Sequence, residues 1–424
     1  MGSRPATPRP RLLAIFALVV AGELIFSLPF HLPRYFRPSV LAGFGFTNGG
    51  LGDVFAAYGI TAMLAYFPGG AIADRFPAHM LMTCALVATA AGGVYLATVP
   101  SHAGMTILYA YWGITTILPF WAPMVRTMRA LGGAQAQGRA FGVLEAGRGL
   151  TAAGFATLAV WFFSREVDAA ASSGGALGIV IRFYTVATVA AGVLVWYGIR
   201  RVEAGAACRR FERGRLRALL GTPLVWLQAL VVVVAYCGYK GLDNYALFVH
   251  QVLGLDEVRA AGFGAASAYL RPVAAILAGL AADRLGGARL VGGLFAGLVV
   301  VYGALAVAAG RPALAGLVYG NLILSAVAVF ALRGVYFALL EETRIPRSMT
   351  GTAVGVISLV GYTPDVFFAP LAGRILDASP GATGHAHYFL LLAVSAALGL
   401  AAAAGLGRLT ARHRTGAAAV PVVD

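Results

Sequence analysis

Apolar residues occur along this chain in long blocks separated by short polar connections rich in Pro and Gly. Runs such as Leu12–Pro29, Val180–Gly198 and Tyr388–Gly405 approach the ~20 residues that an α-helix needs to cross a ~30 Å hydrocarbon layer. The pattern predicts spans over roughly 12–32, 52–73, 80–99, 104–125, 139–162, 177–198, 223–250, 258–281, 290–309, 312–337, 350–373 and 387–406. The expected fold is an all-α membrane protein of twelve transmembrane helices. The first block is longer than the ~7–15-residue core of a signal peptide, and no small-x-small cleavage site clearly follows it, so it reads as the first span.

Composition agrees with this reading. Of 424 residues, 59% are hydrophobic and 12% charged, about half the charge of a soluble domain (~25%), which argues against a water-soluble fold. Cys84, Cys208 and Cys237 have unrelated spacings that suit neither a metal site nor a disulfide framework, so they read as small apolar fillers. The net charge of +15 is compatible with nucleic acid, anionic lipid or membrane topology, and its distribution decides between them. Arginines crowd the segments assigned to one side, among them Arg9, Arg11, Arg75, Arg126, Arg289 and Arg412, whereas few fall opposite. This positive-inside bias places both termini in the cytoplasm, in a plasma (inner) membrane, with no nucleic-acid partner expected.

Residues 200–221 hold seven arginines with Glu203 and Glu212 and read as a basic cytoplasmic linker facing solvent or lipid headgroups. They divide the chain into an N-terminal bundle, 1–199, and a C-terminal bundle, 222–424. The halves echo one another. Gly70-Ala71-Ile72-Ala73-Asp74-Arg75 after the second span returns as Gly279-Leu280-Ala281-Ala282-Asp283-Arg284 after the eighth. Gly138-Arg139-Ala140-Phe141-Gly142-Val143-Leu144 at the start of the fifth span returns as Gly351-Thr352-Ala353-Val354-Gly355-Val356-Ile357 at the start of the eleventh. Two echoes in corresponding places point to two pseudo-symmetric six-helix bundles, an arrangement that puts a substrate site at their interface near mid-bilayer.

Gly-x-x-x-Asp-Arg at the ends of the second and eighth spans resembles the signature of the major facilitator superfamily, and with twelve spans and a basic central loop the resemblance covers nearly the whole chain. It implies a secondary transporter with alternating access, with Gly70, Asp74, Arg75, Gly279, Asp283 and Arg284 as cytoplasmic gate latches. The first copy departs from the family pattern, continuing Phe76-Pro77-Ala78-His79, while the second keeps Gly286 and Arg289. Physically, glycines on one face admit a neighbouring helix, and an aspartate at a helix end can face the positive end of another helix dipole; alternatively, both aspartates only fix turns. Leu28-Pro29-Phe30-His31-Leu32-Pro33-Arg34-Tyr35-Phe36, Thr47-Asn48-Gly49-Gly50-Leu51-Gly52, Tyr66-Phe67-Pro68-Gly69-Gly70 and Gly138-Arg139-Ala140-Phe141-Gly142-Val143-Leu144-Glu145-Ala146-Gly147-Arg148-Gly149 look like a bacterial branch grouped loosely with nitrate/nitrite and organic-phosphate carriers, which would imply a small anionic substrate.

Charge buried in the spans carries the candidate chemistry. An ionisable side chain at mid-bilayer costs ~2.5–3.5 kcal/mol on insertion scales, so each is a functional candidate. Asp53, Arg139, Arg182 and Arg259 can reach an interface, leaving Glu23, Glu145, Arg148, Lys240, Asp243, Arg271, Arg333 and Asp365. Glu145 with Arg148, and Lys240 with Asp243, share a helical face and can neutralise themselves, or serve function. Arg271 lies twelve residues before Asp283, roughly 18 Å from the helix end. Its counterpart in the second span is Ala62, so it binds either a substrate anion or coupling carboxylate, or a buried structural partner. Glu23, equally deep in the first span, is either the leading proton-coupling acid or one end of a fixed salt bridge to Arg271 or Lys240. Arg333 can snorkel or bind solute, Arg34 reads as a solvated rim or, if the first helix extends, as a cavity residue, and Asp365 either titrates or orients an arginine. Tyr239 and Tyr362, with other aromatics, line a cavity or simply pack.

Substrate binding is therefore expected at Arg271, Arg148, Lys240, Arg333, Tyr239 and Tyr362, and proton coupling at Glu23, Asp365, Glu145 and Asp243. No Walker-type loop indicates ATP as driver. No metal-ligand spacing, nucleophile elbow or cofactor motif supports an enzyme, and no cofactor is expected; the seven histidines fall mostly near span ends. Without the two self-neutralising pairs, Arg271 and Arg333 face Glu23 and Asp365, and protonating one acid leaves net positive charge suited to an anion. The leading expectation is a monomer embedded in the lipid bilayer that symports protons with a small organic anion or sugar-like solute. Its rivals are a proton-driven efflux antiporter of amphipathic compounds, which would prefer an excess of membrane carboxylates, and a non-transporting solute sensor.

Overall fold

A computed structural model describes residues 8–132, 137–170, 173–200, 220–336, 339 and 350–414. Nearly all of the expected linker 200–221, and Cys208 within it, lie outside the described residues. The first unbroken helices are α1 (Pro8–Leu24), α2 (Leu32–Tyr35), α3 (Arg37–Phe44), α4 (Asn48–Arg75), α5 (Ala78–Leu96) and α6 (His102–Ile117). They are followed by α7 (Trp121–Gly132), α8 (Gln137–Ala170), α9 (Ser173–Ile199), α10 (Pro223–Gly241), α11 (Tyr245–Gln251) and α12 (Glu257–Ala268). The last are α13 (Leu270–Leu285), α14 (Gly287–Ala308), α15 (Ala315–Val335), α16 (Thr350–Gly361), α17 (Pro364–Ala378) and α18 (Ala382–Arg414).

Ten helical stretches among the described residues are long and apolar enough to cross a membrane. The expected spans over 104–125 and 139–162 do not correspond to any of them. The first is split at Leu118-Pro119-Phe120 into α6 and α7, because proline removes an intrahelical donor and crowds the preceding turn. The second is a single helix, α8, of 34 residues, whose apolar run is interrupted by Glu145 and Arg148 and ends in Arg165, Glu166 and Asp168. Helix starts follow capping chemistry: Thr47 accepts from the Gly50 N–H at α4, Ser101 from Gly104 at α6 and Asp256 from Arg259 at α12.

The chain forms two compact units. The first comprises Met1–Arg209, Leu242–Pro272 and Asp365–Gly384. Within it α4 packs on α6, α5 on α9, α1 on α8 and α9, and α8 on α12. One apolar cluster gathers Tyr58, Tyr109, Trp112 and Tyr184, and another gathers Leu18, Phe120, Met124 and Val195. Two of these polar groups pair between helices: Trp112 Nε1 donates to the Thr89 carbonyl at 3.0 Å, and Tyr58 shares a 2.7 Å hydrogen bond with Thr116, whereas the buried Tyr184 hydroxyl has no hydrogen-bond partner among the described residues.

Helix α17 lies against α4 backbone to backbone. A Cβ at Gly52 or Gly59 of α4, or at Gly373 of α17, would collide with the facing main chain at Ala369, Asp365 or Asn48. Close approach brings Asp377 to the α4 N-terminus, where its carboxylate accepts from the N–H groups of Asn48 (3.0 Å) and Gly49 (2.7 Å) and from Asn48 Nδ2 (3.1 Å). It thereby satisfies donors that a helix start leaves unpaired. Arg374, one turn earlier, pairs with Asp53 at 3.0 Å.

The second unit comprises Arg210–Gly241, Val273–Pro364 and His385–Asp424. Here α10 packs on α16 and α15, and α14 packs on α15. Gly399 seats the ring of Phe295. Tyr388 closes the end of α10 by donating to the Gly241 carbonyl at 2.6 Å, and buried Gln228 donates to the Tyr336 carbonyl at 3.3 Å.

Candidate functional site

In the first unit four side chains from three helices form a closed ring of alternating charge. Glu23 comes from the last turn of α1, Glu145 and Arg148 from the first half of α8, and Arg271 from the first turn of α13. Arg271 Nη1 donates to Glu23 Oε1 at 2.9 Å and Arg271 Nη2 to Glu145 Oε2 at 2.9 Å. Arg148 Nη1 donates to Glu145 Oε1 at 2.6 Å, and its Nε stands 3.0 Å from Glu23 Oε2, close enough for an ion pair though not aligned as a hydrogen bond. Each arginine thus lies between the same two carboxylates. With two positive and two negative groups the ring is neutral, and the mutual attraction offsets a desolvation cost of several kcal/mol per ion.

Small residues make the ring possible. A Cβ at Gly147 would strike Val19 of α1, and one at Gly149 would press on Arg271 and Pro272. The glycines flanking Arg148 therefore let α8 approach both neighbours. The Arg148 guanidinium lies 5.7 Å from the Trp121 ring centre and 6.0 Å from that of Phe26, an aromatic seat for the cation.

The carboxylates differ in access. The side chain of Glu23 is 3% exposed and that of Glu145 is 45% exposed, against 7% and 9% for Arg148 and Arg271. Glu23 has a third neighbour, since His31 Nε2 stands 3.2 Å from its Oε1. His31, which its place near a span end made unremarkable, is buried. The chain leaves α1 through a tightened turn, in which the Phe26 N–H bonds to the Glu23 carbonyl, and then a widened π turn, in which the His31 N–H bonds to the Phe26 carbonyl. These two steps set the phase of His31 against Glu23. Such π insertions are frequent at functional sites.

The second unit brings three other expected residues together. The Arg333 guanidinium lies 3.9 Å from the centre of the Tyr239 ring and 5.8 Å from that of Tyr236. Tyr236 in turn stacks with Tyr239 and meets Tyr362 edge-on at 5.0 Å. All of them are partly exposed, so this is an accessible cation held on aromatic faces. Lys240 is buried in the last turn of α10.

The chain changes helix type just before Asp243. Helix α10 ends at Gly241, Leu242–Asn244 is a tight 3-10 turn, and the Asp243 carboxylate takes Arg34 Nε at 2.5 Å. The Arg34 side chain is correspondingly only 11% exposed, rather than that of a solvated rim residue. Nearby, Ser39 hydrogen-bonds Glu257, and Arg37 reaches Asn48. Asp365 stands in the first turn of α17.

The expected latch residues sit at exposed helix ends. Asp74 lies in the last turn of α4, 3.7 Å from Arg126 of α7, which also donates to the Phe76 carbonyl at 3.4 Å; Arg75, Asp283 and Arg284 are exposed. Neither Gly70 nor Gly279 provides the close approach expected of it. Among the described residues nothing lies within 4 Å of a Cβ placed at either, and the tight neighbour is Gly69, facing the Leu118 carbonyl. No group of three or more His, Cys, Asp or Glu among the described residues is placed to hold a metal ion.

Residues 12–369 match the family model of the Major Facilitator Superfamily. The chain is 27% identical over 392 residues to the inner membrane protein YqcE of Escherichia coli (strain K12), covering 90% of this chain and 91% of that protein. It is 28% identical over 399 residues to the inner membrane protein YihN of the same organism, with the same coverage. Its fold is similar to the inward-facing, unoccupied crystal structure of a bacterial homologue of the human lysosomal transporter Spinster, with a TM-score of 0.76 at 15% identity over 97% of this chain and all of that one. The crystal structure of the nucleoside transporter NupG superposes with a TM-score of 0.67 at 12% identity over 94% of this chain and 98% of that one.

Proposed function

The chain belongs to the Major Facilitator Superfamily and is a multi-pass membrane transporter rather than an enzyme, and from that premise we propose that it symports protons with a small organic anion or sugar-like solute by alternating access. The observation that carries this reading is the sharing of Arg148 and Arg271 between Glu23 and Glu145. With both acids ionised the arginines are neutralised. One proton on either acid leaves the ring with a net positive charge, and a solute anion restores balance, so proton and anion enter the membrane interior together at no net cost in buried charge.

Arg333 on Tyr236, Tyr239 and Tyr362 supplies a second solute-binding surface, whose aromatic faces suit the apolar part of an organic solute or a sugar ring. Lys240 adds a further buried cation, while Asp243 and Asp365 are secondary acids. The duplicated halves, 1–199 and 222–424, move about the site with twelve crossings and both ends in the cytoplasm of the inner membrane. Asp74 and Asp283 act as latches on the cytoplasmic side. The relatives named inner membrane proteins support the location.

The test is uptake into proteoliposomes from a panel of carboxylates, phosphate monoesters and sugars, with and without an imposed inward proton gradient. The expected result is gradient-stimulated uptake of an anion, lost in R271A and uncoupled from the gradient in E23Q. Uptake indifferent to the gradient would replace symport by uniport, and flux of none of the panel would favour a sensor.

A further inference from the structure

Glu145 and Glu23 touch the same two guanidiniums but are not equivalent. Glu23 is enclosed, faces Arg148, Arg271 and His31, and sits on the side of the ring away from access. Glu145 is the open side. Its two oxygens are divided between the arginines, Oε1 to Arg148 Nη1 at 2.6 Å and Oε2 to Arg271 Nη2 at 2.9 Å. One carboxylate thus bridges two guanidiniums that also face Glu23, through Arg271 Nη1 and Arg148 Nε. This inference rests on the anion-symport reading and deepens it.

We propose that Glu145 is an internal stand-in for the transported anion: it occupies the solute's place on Arg148 and Arg271, and the solute binds by displacing it. The exchange is favoured by charge balance. If Glu145 swings out, Glu23 alone faces two arginines, and an unpaired buried charge costs several kcal/mol. An incoming anion removes that imbalance, whereas a cation or a neutral solute leaves it. The ring is therefore neutral with Glu145 in place or with solute in place, and disfavoured when empty.

The bite of Glu145 defines the chemical class of ligand. Two oxygens on one centre, each facing a different guanidinium, is the arrangement offered by a carboxylate, a sulfonate or a phosphate monoester. A monatomic anion cannot bridge the pair in this way. Glu23 becomes the fixed anchor that keeps the arginines aligned, and the side chain that trades places is the more exposed of the two acids. The displaced carboxylate is then the acid able to meet a proton as the solute binds.

Trp121 supplies a reporter, because Arg148 lies over its ring, and exchange of that cation's partner is expected to change the ring's surroundings. The full chain is reconstituted in lipid nanodiscs and titrated with acetate, methanesulfonate and methyl phosphate, with tetramethylammonium and glycerol as controls. Binding is read by tryptophan emission, with W121F identifying the contribution of Trp121, and independently by calorimetry. E145Q, which keeps the shape but not the charge of the competitor, should bind at least one of the three anions about tenfold tighter than wild type. That is the gain expected when a site vacant about one tenth of the time becomes always vacant. E145D, which keeps the competitor, should stay near wild type, and E23Q, which leaves the competitor in place, should gain less than E145Q.

Anion binding in wild type that is unchanged or weakened in E145Q would overturn the displacement proposal and leave the anion reading intact. Loss of anion binding in wild type and E145Q alike, with both correctly folded by thermal unfolding, would overturn both. Equal tightening in E145Q and E23Q would show that the two acids are equivalent, which also defeats it.

Discussion

Arg271 Nη1 lies 2.9 Å from Oε1 of Glu23, a residue 248 positions earlier in the chain. Both are almost fully enclosed, so removing one strands the other in a low-dielectric setting. R271A is expected to destabilise the protein by about 3–5 kcal/mol. In a double-mutant cycle the pair E23A and R271A should cost less than the sum of the single changes, by about 0.5–3 kcal/mol. Unfolding monitored by circular dichroism in detergent measures both. Additive costs would mean that the ion pair contributes no coupling.

The glycines divide into two groups with opposite expected effects. G52A and G59A force a methyl against the α17 backbone and should destabilise by about 1–3 kcal/mol or more, as overpacking does. At Gly70 and Gly279 the space is open among the described residues, so G70A and G279A should be neutral or stabilise by up to about 1 kcal/mol through helix propensity. Thermal unfolding of the four variants side by side checks the contrast.

Arg333 over Tyr239 is a cation on a ring face. Y239F keeps the face and Y239L removes it, so the difference between the two variants isolates the interaction at about 0.5–2 kcal/mol. Equal melting temperatures for the two would show that the ring does no more than fill space.

Asp74 and Arg126 are both partly open to solvent and 3.7 Å apart, a geometry that contributes about 0–1 kcal/mol. D74N should therefore leave the melting temperature nearly unchanged. If Asp74 is a gate latch, the same variant changes the rate of solute uptake in proteoliposomes. An unaltered rate would reduce Asp74 to a turn-forming residue.

Most of the helical architecture was legible because a lipid-crossing helix needs a long apolar run, and such runs stand out in any window of the sequence. The central charges were legible for a related reason: Glu23, Arg148 and Arg271 are conspicuous where charge is costly, and a salt bridge between Glu23 and Arg271 was one of the two readings open for that acid. What escaped was whatever depends on departures from regular helix. His31 meets Glu23 only through a tight turn followed by a π turn, so a period of 3.6 residues gives the wrong face. Asp243 takes Arg34, a residue 209 positions away in the chain, a contact without a local signal. Gly69, rather than Gly70, faces a neighbouring helix, a one-residue difference that sequence alone does not resolve. Asp377 lay beyond the expected eleventh span, and its role at the α4 N-terminus is a long-range contact without a local signal.

The first unit draws its helices from three separated stretches of chain, and this has a consequence for biogenesis. At ~5–20 residues per second, the ribosome delivers Arg271 about 12–50 s after Glu23. During that interval α1 and its acid have left the ribosome while the cation that completes their neutralisation is still being made. Arg148 arrives sooner, so the helices up to α8 form a provisional nest around Glu23, and the later arginine converts that nest into the finished structure. Membrane insertion of this protein is thus a timed pairing of charges, in which early helices wait for a late one.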